Sequence, residues 1–155
     1  VIDWLRFVAG AHSLTGGAID AAVTRVVDTC GVGPGIDKRI HQCSPGFRQR
    51  VGLASALIHD PPVLLLDEPT HGFDPLQVMA FRDLLHQLKQ DRAILFSTHI
   101  IADVAAVSDR VLIIDHGRLL ADGTLSHLCD EAGLADPSLE RLFAHLVSEI
   151  GDAHD

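Results

Sequence analysis

Residues 63–69 read VLLLDEP, and this stretch decides the fold. Its four consecutive apolar residues, Val63 to Leu66, are typical of a strand that is buried on both faces of a parallel sheet. Asp67 and Glu68 follow at the carboxyl end of the strand, where open parallel sheets bind their ligands. The stretch therefore predicts an α/β fold with a site at the end of this strand.

The two adjacent carboxylates suit phosphoryl transfer. One acid can hold Mg²⁺, directly or through water, while the next orients or deprotonates an attacking water. A strand that simply ends with two charges in solvent is the alternative interpretation. For the pair Asp67 and Glu68 alone, both interpretations stay open.

Helices surround this strand on both sides. Apolar periodicity predicts helices over residues 3–11, 18–30, 45–59, 75–88, 100–107, 125–131 and 137–150. Their predicted ends carry helix-capping residues, namely the N-caps Asp3, Ser44, Asp74 and Asp136 and the C-terminal glycine Gly31. The alternation of helices with strands indicates a parallel sheet.

Further strands are predicted along the chain. Residues 93–96 read AILF, the pattern of a second buried strand. Residues 110–115 and 118–121 flank His116-Gly117, a dipeptide that favours a tight hairpin turn. The sheet is therefore predicted to end in an antiparallel pair.

A small anion site is predicted where the 45–59 helix begins. Ser44 is an N-cap serine, and Pro45 fits the first helical position because its missing N–H is not needed there. The free N–H groups of this helix end lie close to basic residues, with no acid between residues 38 and 50: Lys38, Arg39, Arg48 and Arg50. An ordinary capped helix with a solvated basic face is the alternative.

A histidine follows the second strand in the sequence Phe96-Ser97-Thr98-His99. At the same sheet edge as Asp67 and Glu68, His99 could contact a phosphate or brace the attacking water. The nine other histidines show no metal-site spacing with a partner.

Composition limits the classes of partner. The 155 residues are 47% hydrophobic and 21% charged, which is enough apolar surface for a folded core. Twelve basic and 21 acidic residues give a net charge of −9, which argues against a broad face for nucleic acid. The longest purely apolar runs have four residues, so no membrane span is expected. Three distant cysteines predict neither a disulfide framework nor a zinc site.

Taken in order, SPGFRQRVGLASALIHDPPVLLLDEPTHGFDP followed by ILFSTH resembles the second half of the ATP-binding cassette of ABC transporters. The resemblance covers essentially the whole chain and implies a P-loop NTPase (RecA-like) fold, a parallel sheet flanked by helices, with a helical subdomain and incomplete at its N-terminus. It divides the chain into residues 1–60 (remainder of the helical subdomain, with the signature loop), 61–123 (C-terminal half of the nucleotide-binding α/β core) and 124–155 (C-terminal helices). The closing stretch SLERLFAHL resembles the C-terminal helix of export-type cassettes.

The resemblance implies roles for the residues at the strand ends. Asp67 would serve Mg²⁺, directly or through water, and Glu68 would be the general base on the lytic water. His99 would contact the γ-phosphate of ATP.

The resemblance also implies contacts across a dimer of ATP-binding subunits. Ser44 and Gly46, in the signature loop, would contact the γ-phosphate of ATP held by the second subunit, and Asp74, in the D-loop, would communicate across the interface. The sequence departs from the commonest motifs at five positions: Cys43, Pro45 and Phe47 in the signature and His71 and Phe73 in the D-loop.

No G-x-x-x-x-G-K-[ST] loop occurs in the 155 residues. The expectation is therefore that the 155 residues form the C-terminal portion of an ATPase subunit and are inactive in isolation. The whole subunit is expected to bind a transmembrane permease at the cytoplasmic face of the membrane and to drive transport, with export favoured. The alternative is a non-hydrolysing module that offers only its Ser44 loop to a complete partner. A DNA-repair or chromosome-organising cassette is disfavoured, since nothing indicates its usual insertions or a basic stripe.

Overall fold

The computed structural model describes residues 1–134 and 138–152, the last six of these by their backbone alone. The predicted α/β class is confirmed. The chain divides into two compact units, Val1–Ser97 and Thr98–Asp155. The first contains α1 (Ile2–Ala11), α2 (Gly17–Cys30), α3 (Pro45–Leu57), β1 (Val63–Asp67), α4 (Pro75–Leu88) and β2 (Ala93–Ser97). The second contains α5 (Ile101–Val107), β3 (Val111–Asp115), β4 (Arg118–Gly123), α6 (Leu125–Glu131) and α7 (Leu139–Asp152).

Three of the predicted helix ends are confirmed in their capping chemistry. The Ser44 hydroxyl accepts a hydrogen bond from the Phe47 N–H at 3.3 Å, and the Asp74 carboxylate accepts one from the Gln77 N–H at 2.9 Å. Gly31 ends α2 in the left-handed conformation, with φ of 62°. The types of residue at these three positions were therefore sufficient to predict the helix ends.

Two other predicted caps have different outcomes. The Asp3 cap is wrong, because α1 begins at Ile2 and places Asp3 inside its first turn, where an acid still favours the helix dipole. Asp136 lies outside the described residues. At the start of α7 the Ser138 hydroxyl accepts a hydrogen bond from the Arg141 N–H at 3.4 Å.

The parallel pair β1 and β2 runs in register from Val63 opposite Ala93 to Asp67 opposite Ser97. The antiparallel pair β3 and β4 is joined by the predicted His116-Gly117 turn, in which both residues have positive φ. Within residues 1–134 and 138–152 the two pairs form separate two-stranded sheets, so the prediction of one sheet with an antiparallel end is corrected. A two-residue turn lets β3 and β4 satisfy each other's hydrogen bonds.

The prediction that β1 is buried on both faces is wrong. Leu64 is 2% exposed, whereas Val63 and Leu65 are 55% and 70% exposed, and Leu95 of β2 is also exposed. Strand side chains alternate between the two faces, and described residues of this unit cover the Leu64 face alone.

Each unit has an apolar core of its own. In the first, α1, α2 and α3 pack together around Leu5, Val26 and Leu57, and Arg25 donates hydrogen bonds to the carbonyls of Leu57 and Ile58 at the end of α3. In the second, the buried cluster consists of Val111, Ile113, Leu128, Cys129, Leu139 and Leu142. No helix in the described part of the chain has both the length and the apolar content needed to cross a bilayer.

Candidate functional site

The ends of β1 and β2 bring a carboxylate and a hydroxyl together. Asp67 and Ser97 are the last residues of their strands and lie opposite each other in the parallel register. The Ser97 hydroxyl donates a hydrogen bond to Asp67 Oδ1 at 2.5 Å. The exposed Asp67 carboxylate is therefore held in one orientation by its neighbouring strand.

Sequence reasoning gave Ser97 no role. The signal that could have found it is the pairing of two strand ends: residues 63–67 and 93–97 have equal length, and a parallel register places Ser97 beside Asp67. That register is a tertiary property, so the sequence offers only the polar residue at each strand end.

Glu68 stands at the point where the chain turns away from β1. Its φ is 44°, in the left-handed region that a non-glycine residue rarely adopts. Its N–H donates to the Ser97 carbonyl at 3.0 Å, and its own carbonyl accepts from the His71 N–H at 3.1 Å. The side chain is half-buried and its Oε2 atom is shielded from solvent. The backbone thus fixes the main chain of a second acidic residue immediately after Asp67.

The first turn of α3 leaves donors available beside Ser44. Pro45 has no N–H, while the Phe47 and Arg48 N–H groups donate to the Ser44 hydroxyl oxygen and to the Ser44 carbonyl. Among the described residues no acceptor for the Gly46 N–H is found, as expected of a helix N-terminus. The hydroxyl of the exposed Ser44 can therefore donate its proton to an anion, whereas Gly46 is a buried residue whose N–H keeps its capacity to donate.

The ring of Phe47 packs against the helical part of the first unit. A Cβ atom built on Gly35 would lie 2.5 Å from the Cζ atom of Phe47, so the ring lies directly on this glycine. The guanidinium carbon of Arg50 lies over the same ring, 5.9 Å from its centroid. Phe47 therefore acts as a packing residue at its position.

The structure brings the Asp74 segment next to the first turn of α3. A Cβ atom built on Gly46 would overlap the Gln77 Oε1 atom and lie 3.2 Å from Phe73 Cδ1. A Cβ atom on Gly72, whose φ is 79°, would lie 3.4 Å from the Cβ of Pro45. Two of the regions singled out in the sequence, around residues 44–47 and 72–77, are thus in contact.

His99 follows β2 by two residues and belongs to the second unit, where its side chain is exposed. The preceding Thr98 hydroxyl accepts a hydrogen bond from the Ile100 N–H at 3.0 Å, which orders the start of α5. The role of His99 stays a prediction.

The oxygen donors at the strand ends suit a hard cation. Carboxylate and hydroxyl oxygens are ligands that Mg²⁺ accepts, and Mg²⁺ is commonly held by one or two carboxylates together with water and substrate phosphates. In the described ranges no group of three or more His, Cys, Asp or Glu residues is arranged to hold a metal ion unaided. Asp67 with Ser97 therefore fits a magnesium ion that is shared with a phosphate ligand.

Thiol chemistry is disfavoured at Cys30. Burial raises the pKa of the Cys30 thiol to about 12, although the nearby Arg25 and Arg50 act in the opposite direction. A thiol with this pKa is not ionised near neutral pH, and Cys30 serves as a small core residue.

Known proteins resemble the chain in sequence. A family profile described as "ABC transporter" matches residues 6–71. An uncharacterized ABC transporter ATP-binding protein of Synechocystis is 46% identical over 92 residues, which are 59% of this chain and 26% of that protein. The ABC transporter ATP-binding protein NatA of Bacillus subtilis is 36% identical over 125 residues, 80% of this chain and 51% of that protein. The bacitracin transport ATP-binding protein BcrA of Bacillus licheniformis is 38% identical over 109 residues, 69% of this chain and 36% of that protein.

A solved structure described as the ATP binding subunit of an ABC transporter has the same fold. It superposes with a TM-score of 0.81 at 29% identity, over 92% of this chain and 60% of that one. The chain spans between about a quarter and a half of the length of the three curated relatives named above.

Proposed function

This chain belongs to the family of ABC transporter ATP-binding proteins, and from that membership we propose that it is part of an ATPase that binds and hydrolyses ATP at a dimer interface to drive transport across a membrane. The observation that carries the proposal is the pair of carboxylates at the end of β1, with Asp67 oriented by Ser97 and Glu68 fixed by its backbone. One oriented carboxylate with a second acid directly after it fits phosphoryl transfer to water.

The chemistry divides between the two acids. Asp67 would hold Mg²⁺, directly or through water, and Mg²⁺ at this place would supply positive charge for the phosphate oxygens. Glu68 accepts a proton from the attacking water as a general base. In this proposal His99 contacts the γ-phosphate. Its position in the chain, two residues after the end of β2, supports this role.

The first turn of α3 completes the site of a second ATP-binding subunit. The Ser44 hydroxyl and the Gly46 N–H donate to the γ-phosphate held by that subunit, where a helix N-terminus also favours negative charge. Asp74, in the adjoining segment, communicates across the dimer interface.

A phosphate-binding loop has to come from outside these 155 residues, since the sequence contains no G-x-x-x-x-G-K-[ST]. The greater length of the curated relatives supports a subunit in which residues 1–60 continue a helical subdomain, 61–123 continue the nucleotide-binding core and 124–155 form closing helices. We place this subunit on the cytoplasmic face of the membrane, bound to a permease. Relatives described as a bacitracin transport protein and a probable multidrug ABC transporter protein support a role in transport, and the resemblance of the closing helix to that of export-type cassettes supports export.

The missing loop also favours a second candidate function, a non-hydrolysing module that offers only its Ser44 turn to a complete partner. The DNA immediately upstream of the codon for Val1 separates the two functions. An in-frame phosphate-binding loop supports the ATPase, and a stop codon followed by a genuine start codon supports the module.

The chain of 155 residues is expected to show no measurable ATP binding on its own. Its donors at Ser44 and Gly46 serve the nucleotide of another subunit, and it has no loop to cradle the β- and γ-phosphates. Calorimetry with Mg-ATP is the measurement, with the full-length subunit as the positive control. Micromolar binding by the 155 residues would contradict this account of the missing loop.

Ser97→Ala is expected to raise the Mg²⁺ concentration for half-maximal ATPase activity by about tenfold, because residues that orient a metal ligand are typically worth 10- to 100-fold in affinity. The substitution removes the hydroxyl that donates to Asp67 Oδ1 and that accepts a long hydrogen bond from the Glu68 N–H at 3.4 Å. The shorter bond from the Glu68 N–H to the Ser97 carbonyl, at 3.0 Å, is left in place. Activity of the full-length subunit is titrated with Mg²⁺, and Ser108→Ala, in the second unit, is the control. An unchanged Mg²⁺ requirement would show that Ser97 does not orient Asp67 for the metal.

A further inference from the structure

Gln77 of α4 contacts the first turn of α3. Its Oε1 atom occupies the space where any side chain on Gly46 would begin. Gly46 itself is buried although it belongs to the first turn of its helix, while the neighbouring Ser44 and Pro45 are exposed. The Gln77 side chain is thus one of the groups that cover Gly46.

The contact is held from the Gln77 side by two further interactions. The Gln77 backbone N–H donates to the Asp74 carboxylate at 2.9 Å, which fixes the start of α4. Phe73 packs near Gly46 and meets Phe81 of α4 edge-on, with ring centroids 5.5 Å apart. The Gln77 side chain therefore extends from a well-anchored helix start.

Two neighbouring side chains lie elsewhere. Leu76 is 77% exposed. Phe47 turns its ring to Gly35 and Arg50. Among the described residues, Gln77 and Phe73 are the α4-side groups closest to Gly46, and Gln77 approaches it more closely.

We propose that Gln77 is a positioning residue, which holds the turn at residues 44–47 against the segment at residues 72–77 so that the two move as one body. It acts through Gly46 and has no role of its own in the reaction. The inference rests on the proposed function, in which Ser44 and Asp74 both work at the dimer interface. A rigid link between them would present both groups to the second subunit in a fixed relation.

Amide hydrogen exchange of the full-length subunit tests the link without nucleotide. In Gln77→Ala the Phe47 and Arg48 amides are expected to exchange about tenfold faster, because local opening costs less when packing is lost. Amides in the second half of α3, such as that of Leu53, should keep their rates. Gln77→Met, which matches the length of Gln, should restore slow exchange, and Gln87→Ala, on the exposed side of the same helix, is the matched control.

A double substitution tests the Gly46 contact itself. Gly46→Ala should also accelerate exchange at Phe47, since its methyl group would displace the Gln77 side chain from Gly46 and would lie 3.2 Å from Phe73 Cδ1. Combined with Gln77→Ala, the acceleration should be smaller than the sum of the two single effects, as expected for residues in contact. Additive effects, unchanged exchange in Gln77→Ala, or equal acceleration along the whole of α3 would each overturn the proposal.

ATP turnover of the full-length subunit provides a separate readout. Gln77→Ala is expected to raise KM for ATP about fivefold and to change kcat less than twofold, because the Ser44 turn contributes binding while Glu68 is untouched. Gln77→Met should keep KM near the wild-type value, and a KM as high as that of Gln77→Ala would overturn positioning by packing. A wild-type subunit without ATPase activity would refute the proposed function but not the positioning role of Gln77. That role is tested separately by the hydrogen-exchange experiment.

Discussion

Glu68→Gln is expected to reduce ATP turnover by about 10²- to 10⁴-fold, the range that a general base typically contributes. Gln has the shape of Glu but cannot accept the proton of the attacking water. The backbone at residue 68 keeps its hydrogen bond to the Ser97 carbonyl, so the turn after β1 should persist. ATP binding and ATP-dependent dimer formation should therefore survive the loss of turnover.

Steady-state ATPase assays and size-exclusion chromatography of the full-length subunit with Mg-ATP measure the two properties. Glu131→Gln is the matched control, since Glu131 is an exposed residue of α6 and lies outside the proposed site. Turnover close to wild type in Glu68→Gln would remove Glu68 from the role of base. Loss of turnover together with loss of ATP binding would instead indicate that Glu68 is needed to build the site.

Gly35→Ala is expected to destabilise the protein by about 1–3 kcal/mol, the usual cost of forcing extra volume into a well-packed region. The new methyl carbon would lie 2.5 Å from Phe47 Cζ and 2.9 Å from Cε1, distances that only a shift of the ring can relieve. The ring is attached to the first turn of α3, so the shift would also disturb the Ser44 turn.

Urea unfolding of the full-length subunit measures the free energy of unfolding for this variant. Gly52→Ala is the matched control, because Gly52 lies inside α3 and, apart from its chain neighbours and the nearby backbone of its own helix, no described atom lies within 4 Å of its built Cβ. It should stabilise by about 0.5–1 kcal/mol through the higher helix propensity of alanine. Phe47→Leu should recover part of the loss in Gly35→Ala, and a Gly35→Ala variant as stable as wild type would show that Phe47 does not fill this space.

Local chemistry accounts for the parts of the fold that the sequence predicts well. Ser44 with Pro45 and Asp74 with Pro75 each combine a capping side chain with a residue that suits the first helical position, and both helices begin there. Gly31 ends α2 for an equally local reason. Asp3 failed as a cap because an acid is favourable both before a helix and in its first turn.

Long-range packing accounts for the parts that the sequence did not predict. The apolar run of β1 indicates a buried strand, but which of its faces is covered depends on residues distant in the chain. Ser97 and Gln77 are ordinary polar residues in the sequence. They gain a role only because the strand register places Ser97 on Asp67 and helix packing places Gln77 on Gly46.

The roles of Asp67, Glu68, Ser44, Gly46 and Asp74 remain proposals, and the structure adds two observations to them. It describes a hydroxyl that orients Asp67 and a contact between the Ser44 and Asp74 segments. Family resemblance named the residues, whereas geometry suggests how they are held. His99 has only its position in the chain to support its role.

The uncovered apolar face of the parallel pair β1 and β2 affects the tendency of the protein to aggregate. Val63, Leu65 and Leu95 present aliphatic surface on strands that have one hydrogen-bonded neighbour each among the described residues. Strands with an open edge and an apolar face recruit further strands, which is the first step of aggregation. The 155 residues alone should therefore precipitate as their concentration rises, and a charged substitution such as Leu65→Lys should delay precipitation.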